Sequence, residues 1–351
     1  MGLNEKTEKR KRQSRYRANP KRDVGTRITE RDIKLFETVV KEQFLTCDQL
    51  RQLFNVSLST MTIRLRKLWN QGYLGRAFAP VSFGSSPAIY YPTTKCFNTI
   101  IERTGRSREE INWTTGKSKV SPEKKQHELN VNEFKVSLMF ALRERYGEAA
   151  LASYWCKKEV EGESPGVGLL LCEKGVDYWD YVRDPRPEPS EPRGNIPIRP
   201  DRFMGLRIDG EPQYYFVEID RGTMPLKRIR RKFKGYRAYY LSGGFLNKYG
   251  QEGDGIEDYP FRVLVTAITD ERRNNLVEQA IAIGSLEMIW FSVFSEFISD
   301  PLGKVWVRGA EYQEILRLMP KETKGRLAGA YRKVERDRIV EARIKKYSIL
   351  D

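Results

Sequence analysis

Apolar positions in residues 28–74 recur every three to four residues. Ile33, Phe36, Val39 and Val40 form one such stripe, preceded by Thr29 and Asp32 at the spacing of a helix cap. A second short helix is expected over 46–55, capped by Thr46. A third is expected over 58–74, with Met61, Leu65, Leu68 and Trp69 on one face and Gly72 at its end. "YLGRAFAPVSFGSSPAIYYPT" then has two extended runs around a Gly/Ser/Pro turn, the pattern of a β-hairpin. Three helices and a hairpin predict a winged helix-turn-helix over residues 28–104. The polar, glycine-containing stretch 105–121 reads as a linker.

Beyond the linker the periodicity alternates between helix and strand. Residues 124–147 predict a long helix with Val131, Phe134, Leu138 and Leu142 on its apolar stripe. Stepping that stripe backwards reaches Asn130 and His127, so His127 is either a hydrogen-bonded core histidine or a group facing a site. Strands are expected at 151–156 and 167–172. The segment 183–200 holds six prolines and is expected to be a loop. "PDRFMGLRI" and "PQYYFVEID" read as consecutive strands joined by the "DGEP" turn. A helix over 225–241 follows, with Ile229, Phe233, Tyr236 and Tyr240 as its buried stripe. Then come a strand at 261–269, a helix from 270 and a strand at 286–294. This order predicts an α/β domain over 122–310, a mixed sheet with helices packed on it, and a basic helical extension over 311–351.

Charge adds a partner to that outline. The chain of 351 residues carries a formal +16, and its ends carry most of it: residues 1–29 hold ten Lys/Arg against three Asp/Glu, residues 321–351 ten against five. Such a surplus points to a polyanion. Residues 1–27 have almost no apolar side chains to insert into a bilayer, so they read as a disordered basic tail for nucleic acid rather than a membrane anchor. No apolar run approaches the ~20 residues of a membrane span. No signal-peptide pattern is present either, and a cytoplasmic location is expected. The four cysteines are scattered without a CxxC pair, which argues against a zinc ribbon or a disulfide framework. A single histidine excludes sites that need two. "TTGKS" at 114–118 lacks the earlier glycine of a phosphate loop, which is Ile111 here.

Two groups of residues carry candidate chemistry. The third helix has three basic residues (Arg64, Arg66 and Lys67) and no acidic one between Ser57 and Trp69, with Ser57, Ser59, Thr60 and Thr62 at its start. Small polar and basic side chains in that arrangement suit base and phosphate contacts, with Arg76 on the hairpin adding a further cation. The alternative is a protein-binding winged helix with a solvated basic face. The second group lies at the end of a buried strand. Glu218 and Asp220, two residues apart, face the same side, and Asp201 can join them across the hairpin. Three converging carboxylates need protonation, a Lys/Arg partner or a cation; Mg²⁺ or Mn²⁺ suits such oxygen donors. The nearby Lys227, Arg228, Arg231 and Lys232 make a charge-balanced ion-pair cluster the competing reading.

The order Pro-Asp, hairpin, Glu-x-Asp resembles the PD-(D/E)xK nuclease core. More closely, the chain resembles the plasmid replication-relaxation family. The resemblance rests on "ITERDIKLFETV", "FLTCDQL", "RLRKLWNQGYL", "HELNVNEF", "RPDRF", "FVEIDRGT", "RRKFKGYRAYY" and "VLVTAITDERRNNL". It implies a DNA-binding protein of a plasmid or mobile element acting in replication, DNA relaxation or transfer. Double-stranded DNA is the expected partner, and other replication or transfer proteins or a second copy of the chain are further candidates. Asp220 stands where the nuclease core has its lysine, so Lys232 would have to serve from the next helix. Two activities follow as alternatives: a nuclease-like domain that cuts DNA weakly or not at all, or a metal-dependent endonuclease using Asp201, Glu218, Asp220 and Lys232, with His127 nearby. A winged-helix transcriptional regulator is the third reading.

Overall fold

The computed structural model describes residues 16–79, 85–111, 120–152, 154, 166–174, 178–184, 194–249, 261–318 and 329–350. Two compact units emerge, Met1–Asn132 and Glu133–Asp351, and the division falls inside one long helix.

In the first unit, α1 (Glu30–Glu42), β1 (Leu45–Thr46), α2 (Cys47–Leu53) and α3 (Leu58–Asn70) lead into β2 (Leu74–Phe78) and β3 (Ala88–Pro92). The strands form an antiparallel sheet in the order β1-β3-β2. Both expected caps are present as reciprocal capping boxes, Thr29 with Asp32 and Thr46 with Gln49. Each box satisfies backbone N–H groups that a helix start leaves open. The predicted stripes of α1 and α3 are all buried. Two features were not anticipated. Helix α4 (Thr94–Thr104) packs on α1, capped by Thr93 and ended by Gly105 at φ 71°; a short α5 (Arg108–Ile111) lies within the expected linker. Residues 16–26, assigned by composition to the basic tail, dock on the end of α3. Asn19 N donates to Asn70 Oδ1 at 3.0 Å, Asn70 Nδ2 to Asp23 Oδ2 at 2.8 Å, and Gln71 Nε2 to Arg22 O at 2.9 Å. Residues 1–15 of that tail lie outside the described residues.

The dividing helix is α6 (Pro122–Tyr146). The second unit is a mixed α/β layer structure around a six-stranded sheet of order β11-β10-β9-β8-β7-β4. Strands β4 (Val167–Lys174), β7 (Arg202–Ile208) and β8 (Glu211–Asp220) are antiparallel neighbours. Strands β9 (Phe261–Ala267) and β10 (Ile289–Val293) continue parallel to β8, and β11 (Val307–Arg308) closes the edge antiparallel. The β7–β8 turn places Asp209 and Gly210 at φ 51° and 90°. Two consecutive positive φ values match the right-handed twist of a two-residue hairpin. The parallel steps are made by α7 (Leu226–Leu241) and α9 (Asp270–Ala282), whose Ile229, Phe233, Tyr236, Leu276 and Val277 share one core with Phe216, Val263, Val265 and Phe291 on one sheet face.

Two expectations need correction here. Glu148–Leu151 is a 3₁₀ turn rather than the start of a strand over 151–156. The proline-rich segment is not loop throughout: β6 (Asn195–Ile198) pairs antiparallel with β5 (Asp180–Arg183) in a separate ribbon. Pro197 is tolerated because a two-stranded ribbon leaves each strand an edge that needs no donor. The ribbon seats closely on α7, where a Cβ at Gly235 would stand 2.6 Å from Ile196 Cγ2. The basic C-terminus packs back onto the same unit. After α8 (Gly244–Tyr249), α10 (Phe294–Ser299) and α11 (Gly309–Leu318), helix α12 (Gly329–Arg343) is tied in by Arg273 to Glu341 at 2.6 Å, Asn274 to Asp337 at 3.1 Å and the Arg336–Glu278 pair. Among the described residues no helix is long and apolar enough to cross a membrane.

Candidate functional site

The end of β8 assembles four polar groups on the helix-bearing face. Glu218 points toward α7, where Lys232 Nζ donates to its Oε2 and Tyr236 OH to its Oε1. Lys232 and Tyr236 lie one helical turn apart and so present one edge to the strand. Asp201 joins from the position just before β7. Its N–H bonds Val217 O at 2.9 Å, and its Oδ2 accepts from Ile219 N at 2.8 Å. The β7–β8 register, with Arg202 opposite Val217, places Asp201 opposite Glu218.

Electrostatics follow from that crowding. Glu218 is only 6% exposed. Burial pushes its carboxyl up to about 7, Lys232 opposes the rise, and the Asp201 carboxylate adds to it. Burial works against charge on Lys232, but Glu218 and Asp201 outweigh it and hold the ammonium above its ordinary range. The Tyr236 hydroxyl is raised well above its usual value by burial and by the same carboxylates, so it stays a donor.

Asp220 belongs to a different set of contacts. Arg272, at the start of α9, donates from Nε to Asp220 Oδ2 at 2.5 Å and from Nη2 to Oδ1 at 3.3 Å, while Nη2 also reaches Met224 O at 2.6 Å. Gly222 N–H adds a contact at 3.1 Å. Sequence reasoning missed Arg272, which lies 52 residues beyond Asp220. The available signal was topological: in a β-α-β unit the helix after the next parallel strand starts at the same sheet end.

The three expected metal ligands therefore do not share a cage. Among the described residues, the trio bringing ligand atoms within 4.8 Å of one another is Asp270, Glu296 and Glu341, not Asp201, Glu218 and Asp220. That trio is laced with Arg273 and Lys346. At the end of β8 Lys232 pairs with Glu218 and Arg272 with Asp220, so each of these carboxylates already has a basic partner. His127 lies in the first unit and Glu218 in the second.

The expected DNA-contacting residues divide into two groups. Ser57, Ser59, Thr60 and Thr62 are exposed along the start of α3, with Ser57 capping Thr60 N–H at 3.2 Å. Arg66 and Lys67 are partly exposed farther along the helix. Arg64 instead turns inward. Its Nε donates to Asp32 Oδ1 at 2.7 Å, and Nη2 bonds both Asp32 Oδ2 and, at 2.8 Å, Arg27 O. Arg76 lies over the Trp69 ring, 3.3 Å from its centroid. Both arginines are thus held by the unit's own fold.

No match was found among curated proteins. One solved structure, described as restriction endonuclease FokI, aligns over 77% of this chain and 43% of its own length, at 10% identity and a TM-score of 0.25. A similarity that low carries no argument about this chain. The sequence matches the family model described as Replication-relaxation over residues 36–253. That span is more than half of the chain, which belongs to the Replication-relaxation family.

Proposed function

We propose that this is a duplex-DNA-binding protein serving replication, relaxation or transfer of a plasmid or mobile element. In this reading the first unit is a winged helix and α3 enters the DNA. The observation carrying the reading is the outer face of α3: an exposed row of Ser57, Ser59, Thr60 and Thr62 runs into Arg66 and Lys67 with no carboxylate between. Hydroxyls and a helix start reach phosphates and base edges, and the cations release counterions. Membership of the Replication-relaxation family supports the process. Arg66→Ala/Lys67→Ala, measured against duplex DNA over a range of salt, tests it. Affinity should fall, with a log–log salt slope smaller by about 0.9 for each phosphate no longer neutralised. An unchanged slope in the folded variant would remove α3 from the interface.

In the same reading the end of β8 is a nuclease-like corner that cuts DNA weakly or not at all, because Lys232 and Arg272 already pair with Glu218 and Asp220. A metal-dependent endonuclease is the second reading, favoured by one observation: Lys232 reaches Glu218 from the neighbouring helix, with Asp201 beside them. Supercoiled-plasmid nicking in Mg²⁺ or Mn²⁺ separates the two.

A further inference from the structure

The ribbon β5–β6 carries a feature that neither the duplex-binding helix nor the acidic corner uses. Along β5 the buried Val182 alternates with exposed Tyr181 and Arg183, and Trp179 stands just before the strand. Trp179 and Tyr181 are 54% and 51% exposed, an unusual cost for two large aromatic rings on a soluble surface. Their centroids are 5.1 Å apart at 66°. The backbone that carries them is held by three hydrogen bonds. Tyr181 N–H donates to Asp180 Oδ1 at 2.7 Å, Tyr239 OH to Asp180 Oδ2 at 2.8 Å, and Lys248 Nζ to Trp179 O at 3.3 Å.

Tyr181, with the Trp179 ring beside it, borders a groove of about 1110 Å³ between the ribbon and α7, whose lining includes Arg183, Lys234, Arg237 and Leu241. It exceeds the ~300–1,000 Å³ usual for a small-molecule pocket. Among its lining residues the one carboxylate is Asp180, which already accepts from Tyr239 and Tyr181. Arg183, Lys234 and Arg237 leave the lining cationic.

We propose that this groove binds single-stranded nucleic acid, with bases stacking on Trp179 and Tyr181 and the backbone following Arg183, Lys234 and Arg237. A duplex hides its base faces, so exposed rings beside cations favour an unpaired strand. The proposal is independent of duplex binding by α3.

The test uses the full chain with fluorescein-labelled oligo(dT), oligo(rU) and a duplex of matched length. Trp179→Ala/Tyr181→Ala should weaken single-strand binding about 5- to 150-fold for each base that no longer stacks, leaving duplex affinity unchanged. Trp179→Phe/Tyr181→Phe should restore most of it, because a phenyl ring still stacks. Arg183→Gln/Arg237→Gln should lower the single-strand salt slope by about 0.7 for each phosphate released. Binding of either oligonucleotide with this pattern supports the proposal, and the tighter one identifies DNA or RNA. Binding of neither, equal losses on duplex and single strand, or no recovery in the Phe variant would overturn it and make the surface a protein-docking face.

Discussion

Asp32 and Glu218 are buried carboxylates with basic partners, one in each unit, yet their acidities move in opposite directions. Asp32, 2% exposed, accepts from Arg64 Nε and Nη2 and from the Thr29 N–H and hydroxyl. Burial alone would raise its pKa, but those four donors more than offset it and hold the carboxyl below its ordinary range. Glu218 has two donors, one ammonium and one phenol, and a second carboxylate nearby. Its carboxyl is pushed up to about 7 by burial. What separates them is the depth of burial, the number of donors and the Asp201 carboxylate beside Glu218, rather than the presence of a salt bridge. One pair locks a helix packing; the other leaves a carboxyl that titrates near neutrality.

The largest expected effect comes from breaking the locked pair. Arg64→Ala strands Asp32 in the core and should cost the first unit about 2–4 kcal/mol, less than a fully buried pair because Arg64 keeps some exposure. Hydrogen exchange over α1 and α3 reads this directly. Lys232→Ala should cost the second unit less, about 1–2 kcal/mol, since Glu218 can protonate instead. Equal costs would erase the distinction.

Opposite pH dependences sharpen the comparison. Asp32, with its depressed pKa, contributes stability at neutral pH that is lost as pH falls through the folded-state value. Glu218 is raised from 4.5 to about 7. The folded state therefore binds more protons between those values, and its contribution is greatest below 4.5 and falls as pH rises through about 7. Urea unfolding followed over β7 and β8 should show a decline on the order of 1–3 kcal/mol from pH 5 to 8, absent in Glu218→Gln. That variant should equal or exceed wild type in stability at pH 8. A parallel decline in both proteins would place the titration elsewhere.

This contrast also marks what the sequence could convey. The Thr29 and Thr46 caps, the stripes of α1 and α3, and the hairpin around "DGEP" follow from local spacing and were legible. The Lys232–Glu218 pair was one of the readings the sequence left open, whereas Tyr236 read only as part of a buried stripe and its bond to Glu218 was missed. The Arg64–Asp32 and Arg272–Asp220 pairs were not legible, since each joins elements through tertiary packing; there Arg64 read as a DNA contact and Asp220 as a metal ligand. Helix α4 carried the signals of Thr93 and Gly105 at its ends and was overlooked. The β5–β6 ribbon was hidden by prolines that an edge strand accepts.

The smallest effect on stability belongs to Arg66→Ala/Lys67→Ala, which should leave folding within about 0.5 kcal/mol while weakening duplex binding. A similar loss of binding and stability would mean that these cations, like Arg64, belong to the fold.

The most direct test of the account is nicking of supercoiled plasmid in Mn²⁺ by wild type, Glu218→Gln and Lys232→Ala side by side. A corner in which Lys232 and Arg272 pair with Glu218 and Asp220 predicts no cleavage by wild type above that of either variant. Nicking by wild type that disappears in both variants would contradict it and make the protein a metal-dependent endonuclease.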